Sequence, residues 1–204
     1  VNSNPLKFTT MKNIKSYLIL MLCALWLLGG SFACKKADPC ESKTCLNGGT
    51  CDSGNCNCTE RWTGETCSTQ KTPTSIKLTK LELTKYPAKT TTGGNWDPSD
   101  GPDVYMKIYK GTTLVWTGPV FPLPLDPVSG QNPVFFPATK PELTSPVEEY
   151  TIELWDKDTA PDTDDFMGGL KFKAYTETNN FPESLRIECT GCSTGYKVDL
   201  EYVF

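Results

Sequence analysis

The chain of 204 residues contains no histidine. Triads and general-base schemes that use imidazole are therefore excluded, as is every zinc site that needs a histidine ligand. A long apolar run is missing as well: residues 17–28 make about a dozen, short of the ~20 that a membrane-spanning helix requires. Positive charge is scarce, with 20 Lys and Arg against 24 Asp and Glu, a net of −4. Without residues 1–33, which carry Lys7, Lys12 and Lys15, the 20 basic residues fall to 17 and the net charge becomes −7. That sign argues against nucleic acid and anionic lipid as general partners. No stretch beyond the apolar run carries a convincing helical period.

Cysteine, by contrast, is plentiful and unevenly placed. Of the ten, six lie between Cys40 and Cys67, Cys189 and Cys192 sit together, and Cys23 and Cys34 flank the end of the apolar run. Six cysteines in so short a stretch, downstream of a leader, imply an oxidising compartment. Met11-Lys12-Asn13-Ile14-Lys15 is a basic head before the apolar core, the plan of a signal peptide. The ten residues before Met11 have no part in that plan, and Met11 is the candidate initiator. Ala33-Cys34 closes the core and resembles a bacterial lipobox, which implies lipidation at Cys34; ordinary cleavage near Ala33 is the alternative. Residues 1–33 are thus expected to be upstream extension and signal peptide, and 34–39 lipid anchor and tether. A bacterial outer membrane or cell surface is the expected location.

The spacing Cys40-x4-Cys45-x5-Cys51-x4-Cys56-x-Cys58-x8-Cys67, with Asn47-Gly48-Gly49-Thr50 in the second loop and Gly64 before the last cysteine, resembles the EGF-like domain. Spacing alone leaves fifteen pairings. The resemblance implies Cys40–Cys51, Cys45–Cys56 and Cys58–Cys67. A 40–67 module is too small for an adequate core, so cross-links must hold it. It lacks the acidic and aromatic positions of calcium-binding EGF modules and is expected to be a spacer, with Trp62 either packing locally or contacting a receptor or glycan. Residues 68–75 are polar, proline-containing and unpatterned, a linker.

From 76 to 204 the pattern is of strands: 76–86, 104–109, 113–117, 150–155, 170–174, 185–188 and 196–204. The last alternates strictly, with Tyr196, Val198, Leu200, Tyr202 and Phe204 on one face. Turn clusters between such runs predict a mainly β chain, an antiparallel sandwich. The proline-rich 121–127 and Phe135-Phe136-Pro137 belong to edges or loops. Cys189-Thr190-Gly191-Cys192, with no βαβ context and no histidine, is expected to be a Cys189–Cys192 disulfide stapling a hairpin and not a redox motif.

Two acidic segments stand out. Trp96-Asp97-Pro98 leads to Asp103-Val104-Tyr105-Met106-Lys107, and Trp155-Asp156-Lys157-Asp158 leads to Asp165-Phe166-Met167-Gly168. Together with Asn132-Pro133-Val134-Phe135 they resemble the calcium-binding loops and the Asn-Pro-Val-Trp signature of C2 domains, such as those of conventional protein kinase C and synaptotagmin. Ser99-Asp100-Gly101-Pro102 and Val104 depart from that pattern. The resemblance implies an eight-stranded C2-type β-sandwich over 76–204. It also implies carboxylate ligands from Asp97, Asp103, Asp156, Asp158 and Asp165, with Asp164 instead of or alongside Asp165, and main-chain oxygens from Trp96 and Lys157.

Calcium suits such a set, since it accepts six to eight hard oxygens where magnesium prefers to keep its water. The alternative is that these aspartates only form turns at strand ends. The loop tips offer Ser99, Asp100, Pro161, Asp162 and Thr163, neither apolar nor basic, so docking on phospholipid is disfavoured. The expected function is a calcium-binding, lipid-anchored binding or adhesion protein with an unknown protein or glycan ligand. The alternatives are a structural envelope component with a stabilising ion and a metal-dependent hydrolase; no nucleophile and base pair supports the last.

Overall fold

The computed structural model describes residues 36–97, 101–123 and 132–204. The leader 1–33, Cys34, and the loop residues Ser99 and Asp100 lie outside them. Every regular element among the described residues is a strand, so no helix there could cross a membrane.

The cysteine-rich module is two small hairpins. β1 (Thr50–Asp52) pairs with β2 (Asn55–Asn57), and β3 (Trp62–Thr63) pairs with β4 (Thr69–Gln70). Disulfides join Cys40 to Cys51, Cys45 to Cys56 and Cys58 to Cys67. The stretch 68–75 is not a free linker. Thr69–Gln70 completes a hairpin on Trp62–Thr63, and the Thr74 N–H donates to the Val203 carbonyl at 2.7 Å.

The rest is a sandwich of two antiparallel sheets. One contains β10 (Glu142–Leu143), β5 (Ser75–Lys85), β14 (Gly195–Val203) and β13 (Ser184–Ile187) in that order, with β9 (Val134–Phe135) also on β5. The other runs β12 (Asp165–Phe172), β11 (Tyr150–Asp156), β6 (Asp103–Lys110), β7 (Thr113–Thr117), with β8 (Phe121–Pro122) also on β6. Seven of these strands are long. An eighth long strand is not among the described residues; the two-residue strands β8, β9 and β10 stand there instead. Pro119, Pro122, Pro133, Pro137 and Pro141 explain this, since each removes a ladder donor.

The inner faces hold the core. On β5 the inward set is Ile76 and Leu78, then Leu81 and Leu83, a switch of parity. The ladder to β14 slips there, with Leu78 opposite Leu200 and Lys80 opposite Asp199. The extra residue, Thr79, makes the bulge that lets both pairs face inward. Burying each such side chain contributes about 1.5–3 kcal/mol. β11 needs no such device: Tyr150, Ile152, Leu154 and Asp156 all point inward and all are buried. An aspartate therefore occupies a core position at the end of that strand.

Candidate metal centre

Strand pairing gathers the acidic segments at one end of the second sheet. Asp156 lies opposite Val104 on one side and Asp165 on the other. The Lys157 N–H donates to the Asp103 carbonyl at 2.9 Å, extending the ladder one step past the strand. The loop before β6 brings in Asp97, and its neighbour Trp96 is braced by a 2.8 Å hydrogen bond from Nε1 to the Pro87 carbonyl. Asp97, Asp156 and Asp158 thus meet although 59 residues separate the first from the second; each offers a carboxylate oxygen within 4.8 Å of the other two.

Asp156 is 1% exposed. Its Oδ1 accepts from the Asp103 N–H at 2.8 Å, while its Oδ2 is buried with no hydrogen-bond partner, as is the Oδ2 of Asp158. Burial, then the charge of Asp97, pushes the Asp156 carboxyl up to about 6; Asp158 and Asp103 add to this, and the Asp103 N–H opposes it. Burial and then Asp165, Asp162 and Asp164 raise Asp158, against Lys157. Carboxylates so placed repel, and a group that must shed its hydration costs still more.

The other expected ligands are placed differently. The side chains of Asp103 and Asp165 are exposed at the rim, near enough for their charges to act on Asp156 and Asp158 respectively. Asp103 enters the site through its main chain. Asp164 has both carboxylate oxygens on protein donors: Oδ1 accepts from Lys157 Nζ at 2.6 Å and from the Asp158 N–H at 3.3 Å, and Oδ2 accepts from the Tyr105 hydroxyl at 2.5 Å. The Lys157 bond first, then that of Tyr105, brings its pKa down to about 2, while Tyr105 is raised by burial and by Asp164. Asp164 therefore ties the loop between β11 and β12 to β6. Lys157 serves here through its ammonium as well as its main chain.

Sequence reasoning missed Tyr105. The only signal was an outward position on β6 opposite Trp155, where Lys107 lies over both rings, 3.9 Å from the Trp155 centroid and 5.2 Å from that of Tyr105. Gly168 (φ 150°) permits another close approach, since a Cβ there would fall 2.7 Å from Ser193 Oγ and 2.8 Å from Thr194 Cγ2. The Cys189–Cys192 disulfide closes the neighbouring turn.

Three carboxylates of mixed loop and strand origin, two of them with buried unpartnered oxygens, fit a hard cation. They offer no nitrogen or sulfur donor to a softer one.

No family model matches this chain, and neither does any curated protein. Solved structures do. One titled as a C2 domain is 15% identical, with 63% of this chain and 96% of that one covered at a TM-score of 0.39. The calcium-bound pair of C2 domains of Extended-Synaptotagmin 2 is 22% identical over 64% of this chain and 46% of that one, at 0.34. A C2 domain of plant Extended Synaptotagmin 1 is 14% identical over 65% and 97%, at 0.35. The chain is thus similar to C2 domains, while its two-sheet sandwich is established by its own strand pairing.

Proposed function

We propose that this chain is a calcium-binding, lipid-anchored envelope or surface protein that acts as a binding or adhesion module. The observation that carries the metal reading is the pair of buried oxygens, Asp156 Oδ2 and Asp158 Oδ2, left without partners beside Asp97. Asp97, Asp156 and Asp158 would hold the ion, with Asp103 and Asp165 at the rim. A divalent cation would supply charge neutralisation and bridge the loop before β6 to the turn after β11. Outside a cell, calcium near millimolar matches the affinity of extracellular modules, so the ion would be a standing clamp and not a switch.

The anchor rests on the leader and Cys34. The tip of the β11–β12 loop, Pro161, Asp162 and Thr163, is exposed and polar, which supports a role other than insertion into phospholipid. A structural envelope protein whose ion only rigidifies one end of the sandwich is the second reading, favoured by the burial of Asp156. The two separate by experiment. Calorimetry with calcium on the wild type and Asp156→Asn tests the site, and capture of proteins, glycans or liposomes with and without chelator tests the role. Calcium-dependent capture supports the binding reading, stabilisation without capture supports the structural one, and no heat of calcium binding at millimolar supply removes both.

A further inference from the structure

We infer that the seam between the cysteine-rich module and the sandwich is a second binding site, remote in chemistry from the acidic end, and that its ligand is a short neutral oligosaccharide. The two parts are joined through packed aromatic rings. Phe181 is buried in the sandwich and receives Trp62 edge-on at 5.7 Å, with Tyr175, Tyr202 and Phe204 around it at 5.8, 5.3 and 5.4 Å. Beside this seam lies a cleft of about 520 Å³ to which both parts contribute: Trp62, Thr69 and Gln70 from one, Glu177, Thr178 and Asn180 from the other. That size is within the ~300–1,000 Å³ of small-ligand sites.

Two further observations converge on it. Of the five non-glycine residues with positive φ among those described, Cys67 (57°), Asn180 (56°) and Phe181 (50°) belong to the segments that meet here. Backbone in that region costs energy and persists where the surroundings enforce it, commonly at ligand sites. The Gln70 amide is also oriented across the seam, because its Nε2 donates to the Glu177 carbonyl at 2.8 Å while its Oε1 is buried with no hydrogen-bond partner.

The lining selects the ligand. It is rich in hydroxyl and amide groups, with a single carboxylate, no Lys or Arg and a single aromatic ring. No cation among the lining residues meets a phosphate or a sulfated sugar, the Arg61 guanidinium lying instead over the Phe181 ring at 6.0 Å, and apolar lipids or peptides lack an apolar pocket. Vicinal hydroxyls match amide and hydroxyl partners, and the C–H face of a sugar ring matches an indole edge or face. This refines the binding reading above but does not depend on the ion.

Saturation-transfer NMR on the oxidised protein, with a panel of malto-, cello-, manno- and chito-trioses, tests it. At least one sugar should give transfer that is unchanged by a chelator, and that falls several-fold in Glu177→Ala/Thr178→Ala, whose exposed side chains are not part of the ring seam. Trp62→Phe, which keeps an aromatic on Phe181, should weaken the same signal. No transfer across the panel, transfer indifferent to these variants, or displacement of every bound sugar by an extended peptide that itself binds more tightly would overturn the proposal. Since the chelator arm is read separately, failure of the calcium site and failure of this one are distinguishable.

Discussion

Replacing Asp156 with Asn should stabilise the metal-free protein while removing its response to calcium. Asp156 ionises at about 6 in the fold against an ordinary 3.8, because it is buried and faces Asp97, Asp158 and Asp103. The folded state therefore holds this proton more tightly than the unfolded one. Its contribution is present in full below pH ~4 and is lost as pH rises through about 6. A difference of about 2 units at ~1.4 kcal/mol each is about 3 kcal/mol above pH 7. Asparagine keeps an Oδ1 for the Asp103 N–H and turns the unpartnered Oδ2 position into a donor toward the remaining carboxylates. In EDTA at neutral pH the variant should therefore melt higher by roughly 6–12 °C, given the ~2–4 °C per kcal/mol of a protein this size. The gap should close near pH 4. In saturating calcium, at about a hundred times the dissociation constant, the wild type gains about 2.7 kcal/mol and draws level. Thermal unfolding followed by circular dichroism, in EDTA and in calcium at both pH values, reads all four cases. A variant less stable than wild type in EDTA at neutral pH would show that the Asp156 charge is not a cost to the fold, and one that calcium stabilises as much would show that it is not a ligand.

Other perturbations follow from the same geometry. Tyr105→Phe removes the hydroxyl that holds Asp164 Oδ2, and should weaken calcium several-fold without changing the inner-sphere water count read from terbium luminescence lifetimes. Leu154→Ala, in the centre of the second sheet and fully buried, should cost about 2–5 kcal/mol in denaturant midpoint analysis, with calcium affinity falling only as far as β11 shifts. Reduction of the three N-terminal disulfides, at about 2–4 kcal/mol each, should unfold that module and release Trp62 from Phe181, seen as a change in tryptophan fluorescence. Gly168→Val should be strongly destabilising in the same thermal assay, because its side chain would overlap Ser193 and Thr194.

Much of this molecule is already present in its residue order, because strand formation depends on local alternation. The run from Tyr150 to Trp155 reads as a strand from its alternation, but that reading stops one residue short of Asp156; only the ladder carries β11 on and puts the acid on the core face. The run Tyr196 to Phe204 likewise announces a half-buried strand. The inward parity of β5 changes between Leu78 and Leu81, and the ladder with β14 shows Thr79 as the bulge that permits it. Fifteen cysteine pairings were open to spacing, and packing closes on one of them. Three further matters were decided by residues far apart in the chain. The convergence of Asp97 with Asp156 and Asp158 depends on which strand ends share an edge of the sheet. The withdrawal of Asp164 into bonds with Lys157 and Tyr105 depends on side-chain reach across that sheet. The seating of Trp62 on Phe181, more than a hundred residues away, turns an apparent linker into a seam. Alternation is a property of neighbours and can be read along the chain; proximity between distant residues is a property of packing, and it exists only once both sheets have closed.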